Sequence, residues 1–166
     1  MDKKYLYSPW RLDYILSEKC IGCIFCCKPE AKDDEKHLIV YRSSESYIIL
    51  NLYPYNNGHL MVVPFEHTPK LSGLSVSALN DLFATVQLAE TVLYEVYNCE
   101  GVNIGMNIGK AAGAGIDEHI HVHLVPRWQG DGNFMSVVGG ERVIPEAFES
   151  AYIKLKSAFD KYLPKD

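Results

Sequence analysis

The stretch His119-Ile120-His121-Val122-His123-Leu124-Val125-Pro126 sets three imidazoles at alternate positions with aliphatic residues between them. Alternation with a period of two is the pattern of a β-strand laid over a core. His119, His121 and His123 then share one face, about 6.5–7 Å apart along the strand, and Ile120, Val122 and Leu124 share the other. Half of the chain's six histidines fall within these five positions. One strand therefore presents a row of groups able to attack, to donate a proton or to bind a metal.

Working outward, Val102 to Ile108 reads as a partner strand, joined to the histidine strand by Gly109-Lys110-Ala111-Ala112-Gly113-Ala114-Gly115. From Val76 to Tyr97, Leu79, Leu82, Phe83, Val86, Ala89, Val92, Leu93 and Val96 recur at three- and four-residue intervals, which predicts one long amphipathic helix. Three earlier strands are expected at His37–Tyr41, Tyr47–Leu50 and His59–Val63, with turns at Ser43-Ser44-Glu45 and Asn56-Asn57-Gly58. A second helix, Pro145 to Leu163, closes the chain, and residues 8–17 read as a capped helical turn. The sum is an α+β fold: an antiparallel sheet, one long central helix and a C-terminal helix within a single domain spanning 1–166.

With 48% hydrophobic and 22% charged residues in 166 positions, the composition is that of a soluble globular protein. No apolar run approaches the roughly eighteen residues a membrane span needs, and the start of the chain lacks a secretory signal, so a cytoplasmic protein is expected. The net charge of −5 argues against a nucleic acid polymer as partner, because phosphate neutralisation calls for a basic face. Of five cysteines, Cys20, Cys23, Cys26 and Cys27 crowd into an N-terminal knuckle within segment 1–36. In a reducing compartment that crowding points to metal more than to disulfides. Cys99, apart from them, reads as a small buried residue.

Two chemistries fit the histidine row. A neutral imidazole can attack phosphorus or carbonyl carbon, provided a neighbour holds one ring nitrogen so that the other points outward. Three histidines can also hold a water-activating zinc. Spacing alone leaves both open. The glycine loop favours the first, since Gly109, Gly113 and Gly115 allow backbone amides to converge on an anion such as phosphate. It matches neither a Walker A loop nor a dinucleotide fingerprint.

The run from His119 through Pro126-Arg127 resembles the signature of the histidine triad (HIT) family. Asn51-Leu-Tyr-Pro-Tyr-Asn-Asn-Gly58-His59-Leu-Met-Val-Val-Pro64 is similar to that family's nucleotide-binding strand and turn. Pro126-Arg127-Trp128-Gln-Gly130-Asp131-Gly-Asn133-Phe134-Met135 and Arg142-Val-Ile-Pro145-Glu146 resemble its diadenosine tetraphosphate phosphorylase branch. The likeness runs from about Ser8 to Pro145 and implies a HIT-like sheet that pairs as a homodimer.

The resemblance implies cleavage of a dinucleoside polyphosphate at the α-phosphate. His121 would attack to form an adenylyl-histidine, which water or inorganic phosphate would resolve. His119 and His123 would orient His121 and the phosphate oxygens. Asn107 and amides near Gly113 and Gly115 would hold the α-phosphate, Asn51 would reach the ribose and His59 would support the site. Trp128 would stack on a base or ring the cleft, or else be an edge residue of the core or dimer interface. Many members carry Ser or Thr four positions before the first histidine, where this chain has Gly115, so both acceptors stay open. A nucleoside phosphoramidate or mononucleotide hydrolase is the alternative enzyme, and a nucleotide sensor with little turnover the alternative outside catalysis. The resemblance also implies a structural zinc on Cys23, Cys26, His67 and His119.

Overall fold

A computed structural model of the chain describes residues 22–132 and 146–163. The helical turn expected at 8–17, Cys20 and the 142–145 stretch lie outside them. Five strands form one antiparallel sheet: β1 Ile39–Arg42, β2 Ser46–Leu50, β3 Leu60–Pro64, β4 Gly101–Gly105 and β5 Val122–Arg127. Their order is β1-β2-β3-β5-β4, a meander followed by a swap that seats β5 in the interior and β4 at an edge.

Among the described residues four α-helices accompany them: α1 Ile24–Glu30, α2 Asp34–His37, α3 Val76–Tyr97 and α4 Phe148–Phe159. The bounds of α3 are those its periodicity predicts. Ser75 caps it by accepting from the Ala78 amide, and Asn98, in the left-handed region at φ 46°, ends it. The cysteine knuckle and the connector after it prove to be the short helices α1 and α2. Leu38, at φ 59°, stops α2, which is why the first strand begins at Ile39 and not at His37. The C-terminal helix gives way at Asp160 to a 3₁₀ turn.

The sheet separates two clusters. On one face Ile48, Leu50, Leu60, Val62, Val122 and Leu124 meet Leu82, Val86, Ala89 and Leu93 of α3 and Leu155 and Phe159 of α4. Each such Leu, Ile or Phe contributes roughly 1.5–3 kcal/mol by leaving water. The other face carries a smaller cluster of Phe25, Ile39, Tyr47, Ile49, Met61 and Val63. Register places Ile49 opposite Met61 and Met61 opposite His123, so His123 stands in line with this smaller cluster. Among the described residues no helix is long and apolar enough to cross a membrane.

Candidate active site and metal cluster

The histidine row is not one strand. β5 begins at Val122, and of the three histidines only His123 belongs to it. The cause lies in the neighbour. Carried back from Val62↔Val122, the register would set Ile120 against Pro64, which has no N–H to continue the ladder. The Ile120 amide instead donates to the carbonyl of Thr68 at 2.7 Å, and Nε2 of His119 donates to the Pro64 carbonyl at 2.9 Å. The expected even spacing on one face is replaced by rings that cross: those of His121 and His123 meet edge to face at 4.8 Å.

Backbone groups set the protons on these rings. Nδ1 of His121 donates to the His119 carbonyl at 2.9 Å, which leaves the lone pair on Nε2. The Tyr55 amide donates to Nδ1 of His59 at 3.0 Å, so Nε2 of His59 carries the proton and donates to Nδ1 of His123 at 2.9 Å. His123 is thereby left with its proton on Nε2. One ring holds an outward acceptor and its neighbour an outward donor.

Burial pushes His121 below the ordinary histidine range, with the His119 carbonyl opposing the shift. Burial, followed by the neighbouring histidines, takes His59 down to about 3, and burial followed by His121 takes His123 down to about 4. These rings are neutral at pH 7. His121 is only 5% exposed, deeper than a strand-face position suggests. Among the described residues, however, the sole buried side-chain nitrogen or oxygen without a hydrogen-bond partner is Asn57 Oδ1. Nε2 of His121 takes no hydrogen-bond partner among the described residues.

His119 serves a second cluster. Its Nδ1 lies 3.3 Å from Cys23 Sγ, 3.5 Å from Cys26 Sγ and 3.2 Å from His67 Nδ1, and His67 Nδ1 lies 3.3 Å from Cys26 Sγ. All four ligand atoms fall within 4.8 Å of one another. A zinc tetrahedron with nitrogens near 2.05 Å and sulfurs near 2.3 Å has edges of about 3.3 Å between nitrogens and about 3.5 Å between nitrogen and sulfur. The donor set fits such an ion. With its Nε2 proton on Pro64, His119 also turns a lone pair toward the cluster, the usual outer-shell support for a metal ligand. Burial, then Cys23, pushes the Cys26 thiol up to about 11, so a cation must displace its proton. No second triad histidine joins the cluster, which removes the observation a three-histidine zinc hydrolase would need.

Phe25, between the two thiols, lies 5.7 Å from the His119 ring and 4.9 Å from that of His121. The buried Tyr47 hydroxyl donates to the Phe25 carbonyl at 2.7 Å and fixes α1 on the sheet. Sequence reasoning assigned roles to neither residue. The Cys-x-x-Cys spacing hinted at Phe25; nothing marked Tyr47.

The glycine loop ties up three of its seven amides internally. Those of Ala112, Gly113 and Ala114 bond Gly109 and Lys110 carbonyls, and Gly109 and Gly113 occupy positive φ. The Gly115 amide takes no such internal bond among the described residues. Asn107 follows β4, two residues after Gly105, the partner of His123. Asn51 accepts from the Tyr53 amide and turns its Nδ2 toward His59. Trp128 is half-buried, its ring edge to face with Tyr97 at 6.4 Å.

Residues 32–130 match the family profile of the HIT domain. The chain is 40% identical over 150 residues to the AP-4-A phosphorylase of Mycobacterium tuberculosis, covering 85% of this chain and 76% of that one. It is 37% identical over 93 residues to an asymmetrical bis(5'-nucleosyl)-tetraphosphatase of Schizosaccharomyces pombe, covering 56% of this chain and 50% of that one. Among solved structures, a zinc-bound histidine triad family protein from Mycobacterium smegmatis superposes with a TM-score of 0.69 at 28% identity, covering 85% of this chain and 95% of that one. The crossed histidines, the profile over most of the sheet and the relative matched along most of its length agree: this chain belongs to the HIT family.

Proposed function

We propose that the protein cleaves dinucleoside polyphosphates at the α-phosphate through an adenylyl group carried on His121. The observation that carries this reading is the proton placement around that ring. Nδ1 is committed to the His119 carbonyl, so the neutral ring presents Nε2 as a nucleophile at the pH of the cell. Attack of that nitrogen on the α-phosphorus forms the P–N bond and breaks the bond to the bridging oxygen, releasing ATP from diadenosine tetraphosphate. His123, with a proton on Nε2, donates a hydrogen bond to the phosphoryl or departing oxygen as charge builds there. Asn107 and the Gly115 amide, which alone in the Gly113–Gly115 segment takes no internal bond among the described residues, hold the α-phosphate, while Asn51 reaches the ribose. Trp128 has an aromatic partner in Tyr97, which supports a role in walling the cleft.

The four-residue cluster is proposed as a structural zinc site. Bound there, the ion would supply cross-linking rather than chemistry, fastening α1 to the triad segment. His119 then holds the metal with its ring and His121 with its main chain. The exposed edge strand β4, with Ile104 45% exposed, supports pairing of two copies as a homodimer across joined sheets. A cytoplasmic protein forming a single domain over 1–166 fits this reading.

Incubation with diadenosine tetraphosphate, with and without inorganic phosphate, tests the function. ADP plus ATP marks phosphorolysis and AMP plus ATP marks hydrolysis; intact substrate under both conditions overturns the enzyme reading. Rapid acid quench of a single turnover should trap a nucleotide on His121.

A further inference from the structure

Asp131 ties two loops together beside the histidines. Its Oδ2 accepts from Arg127 Nε at 2.6 Å, from Asn56 Nδ2 at 2.9 Å and from the Trp128 amide at 3.2 Å, while Oδ1 accepts from Arg127 Nη2 at 2.7 Å. Asn56 Nδ2 also donates to the Pro126 carbonyl at 3.0 Å. The Asn56 side chain thus pins the turn between β2 and β3 to the end of β5. That turn is where His59 gets its proton arrangement, because the Tyr55 amide sits one residue before Asn56 and the His59 amide donates back to the Asn56 carbonyl at 3.3 Å. Tyr55 covers both rings, at 4.7 Å from His59 and 5.9 Å from His123.

We propose that Asp131 is a positioning residue for His123, acting through Asn56 and the Tyr55–His59 turn to keep the His123 proton on Nε2. The inference rests on the reading of His123 as the donor to phosphate. If the turn drifts from β5, the Tyr55 amide leaves Nδ1 of His59, only the longer contact from Asn51 Nδ2 at 3.4 Å still favours that tautomer, and the donation from His59 to Nδ1 of His123 weakens. The proton of His123 can then sit on Nδ1, and the group facing the phosphate becomes an acceptor. Asp131 is held ionised by the Arg127 guanidinium, its carboxyl kept down at about 2, so the anchor persists across the working pH range. Arg127 in turn spans to Asn103 on β4 at 2.8 Å, which braces the anchor from the edge strand.

Ring-nitrogen NMR of the histidines in the full chain reads the tautomers without any turnover. The wild type should show His59 and His123 each protonated on Nε2, and Asp131→Ala should show mixed tautomers at both with the other histidines unchanged. In the same variant kcat on diadenosine tetraphosphate should fall about tenfold with KM little changed, since a displaced catalytic group costs rate more than binding. Asn56→Ala should behave alike, and the double variant should be no worse than either single one. Asp131→Asn, which keeps an acceptor for Asn56, should recover most of the rate. Unaltered tautomers in folded Asp131→Ala, or additive losses in the double variant, would overturn the proposal. If Asp131→Ala does not fold, the Asn56→Ala spectrum decides alone. Absence of turnover in the wild type would count against the enzyme reading and leave the tautomer result standing.

Discussion

The carbonyl oxygen of His119 accepts the Nδ1 proton of His121 at 2.9 Å, while the ring of His119 faces two thiols and His67. One residue thus joins the nucleophile to the metal cluster. Its ring answers to the cluster and its main chain to the chemistry.

Replacement of His121 by Gly removes the attacking nitrogen and leaves the phosphate-holding groups in place. Turnover should drop by about a thousandfold or more, in line with loss of a covalent catalyst, while nucleotide affinity measured by calorimetry stays within a few-fold. Turnover close to that of the wild type would end the nucleophile assignment.

Cys23→Ser or Cys26→Ser breaks the donor set. Metal content by elemental analysis should fall, and the melting temperature should fall by about 5 °C or more, because the cluster ties α1 to the sheet. A chelator acting on the wild type should reproduce the shift. Chelated and untreated protein melting together would speak against a structural ion.

Acid should weaken the fold through His59 and His123. Both are lowered in the folded state, to about 3 and about 4, from an unfolded value near 6.5. The stability tied to their neutral forms is whole above pH 6.5 and is lost as pH falls through that value toward the folded ones, at about 1.4 kcal/mol per pH unit for each ring. Denaturant melts at pH 7.5 and pH 5 should differ accordingly, and His59→Phe should flatten the dependence. The acid limb of kcat/KM should lie below pH 6.5, since His121 too is lowered.

Tyr47→Phe strips the Phe25 carbonyl of a buried donor while keeping the ring. The cost should be about 1–3 kcal/mol in urea unfolding, the usual penalty for a buried acceptor left unpaired. An unchanged midpoint would show that α1 is held without this bond.

What could be read ahead of the structure follows the reach of each signal. The helix α3 was legible to its ends because its apolar spacing, the Ser75 cap and the Asn98 stop all lie within its own sequence. The true start of β5 was not, since it depends on Pro64 at the end of another strand and on the Thr68 carbonyl beyond it. Cys23, Cys26, His67 and His119 could be named together because the cysteine spacing and the family resemblance pointed to the same set. Asp131, Asn56 and Tyr55 stood in plain view within the quoted motifs. Their part is played by a carboxylate, a side-chain amide and a main-chain N–H, none of which has a sequence period to betray it.

The unequal faces of the sheet divide the labour of tolerance. The larger cluster beneath α3 and α4 holds most of the buried aliphatic mass, and it can exchange one branched side chain for another while the histidines keep their partners. The smaller face has six buried hydrophobic residues, two of which, Phe25 and Met61, adjoin the triad. Drift in the lineage of this chain should therefore accumulate under the helices, and innovation in substrate choice should come from the thinner side, where few atoms separate packing from chemistry.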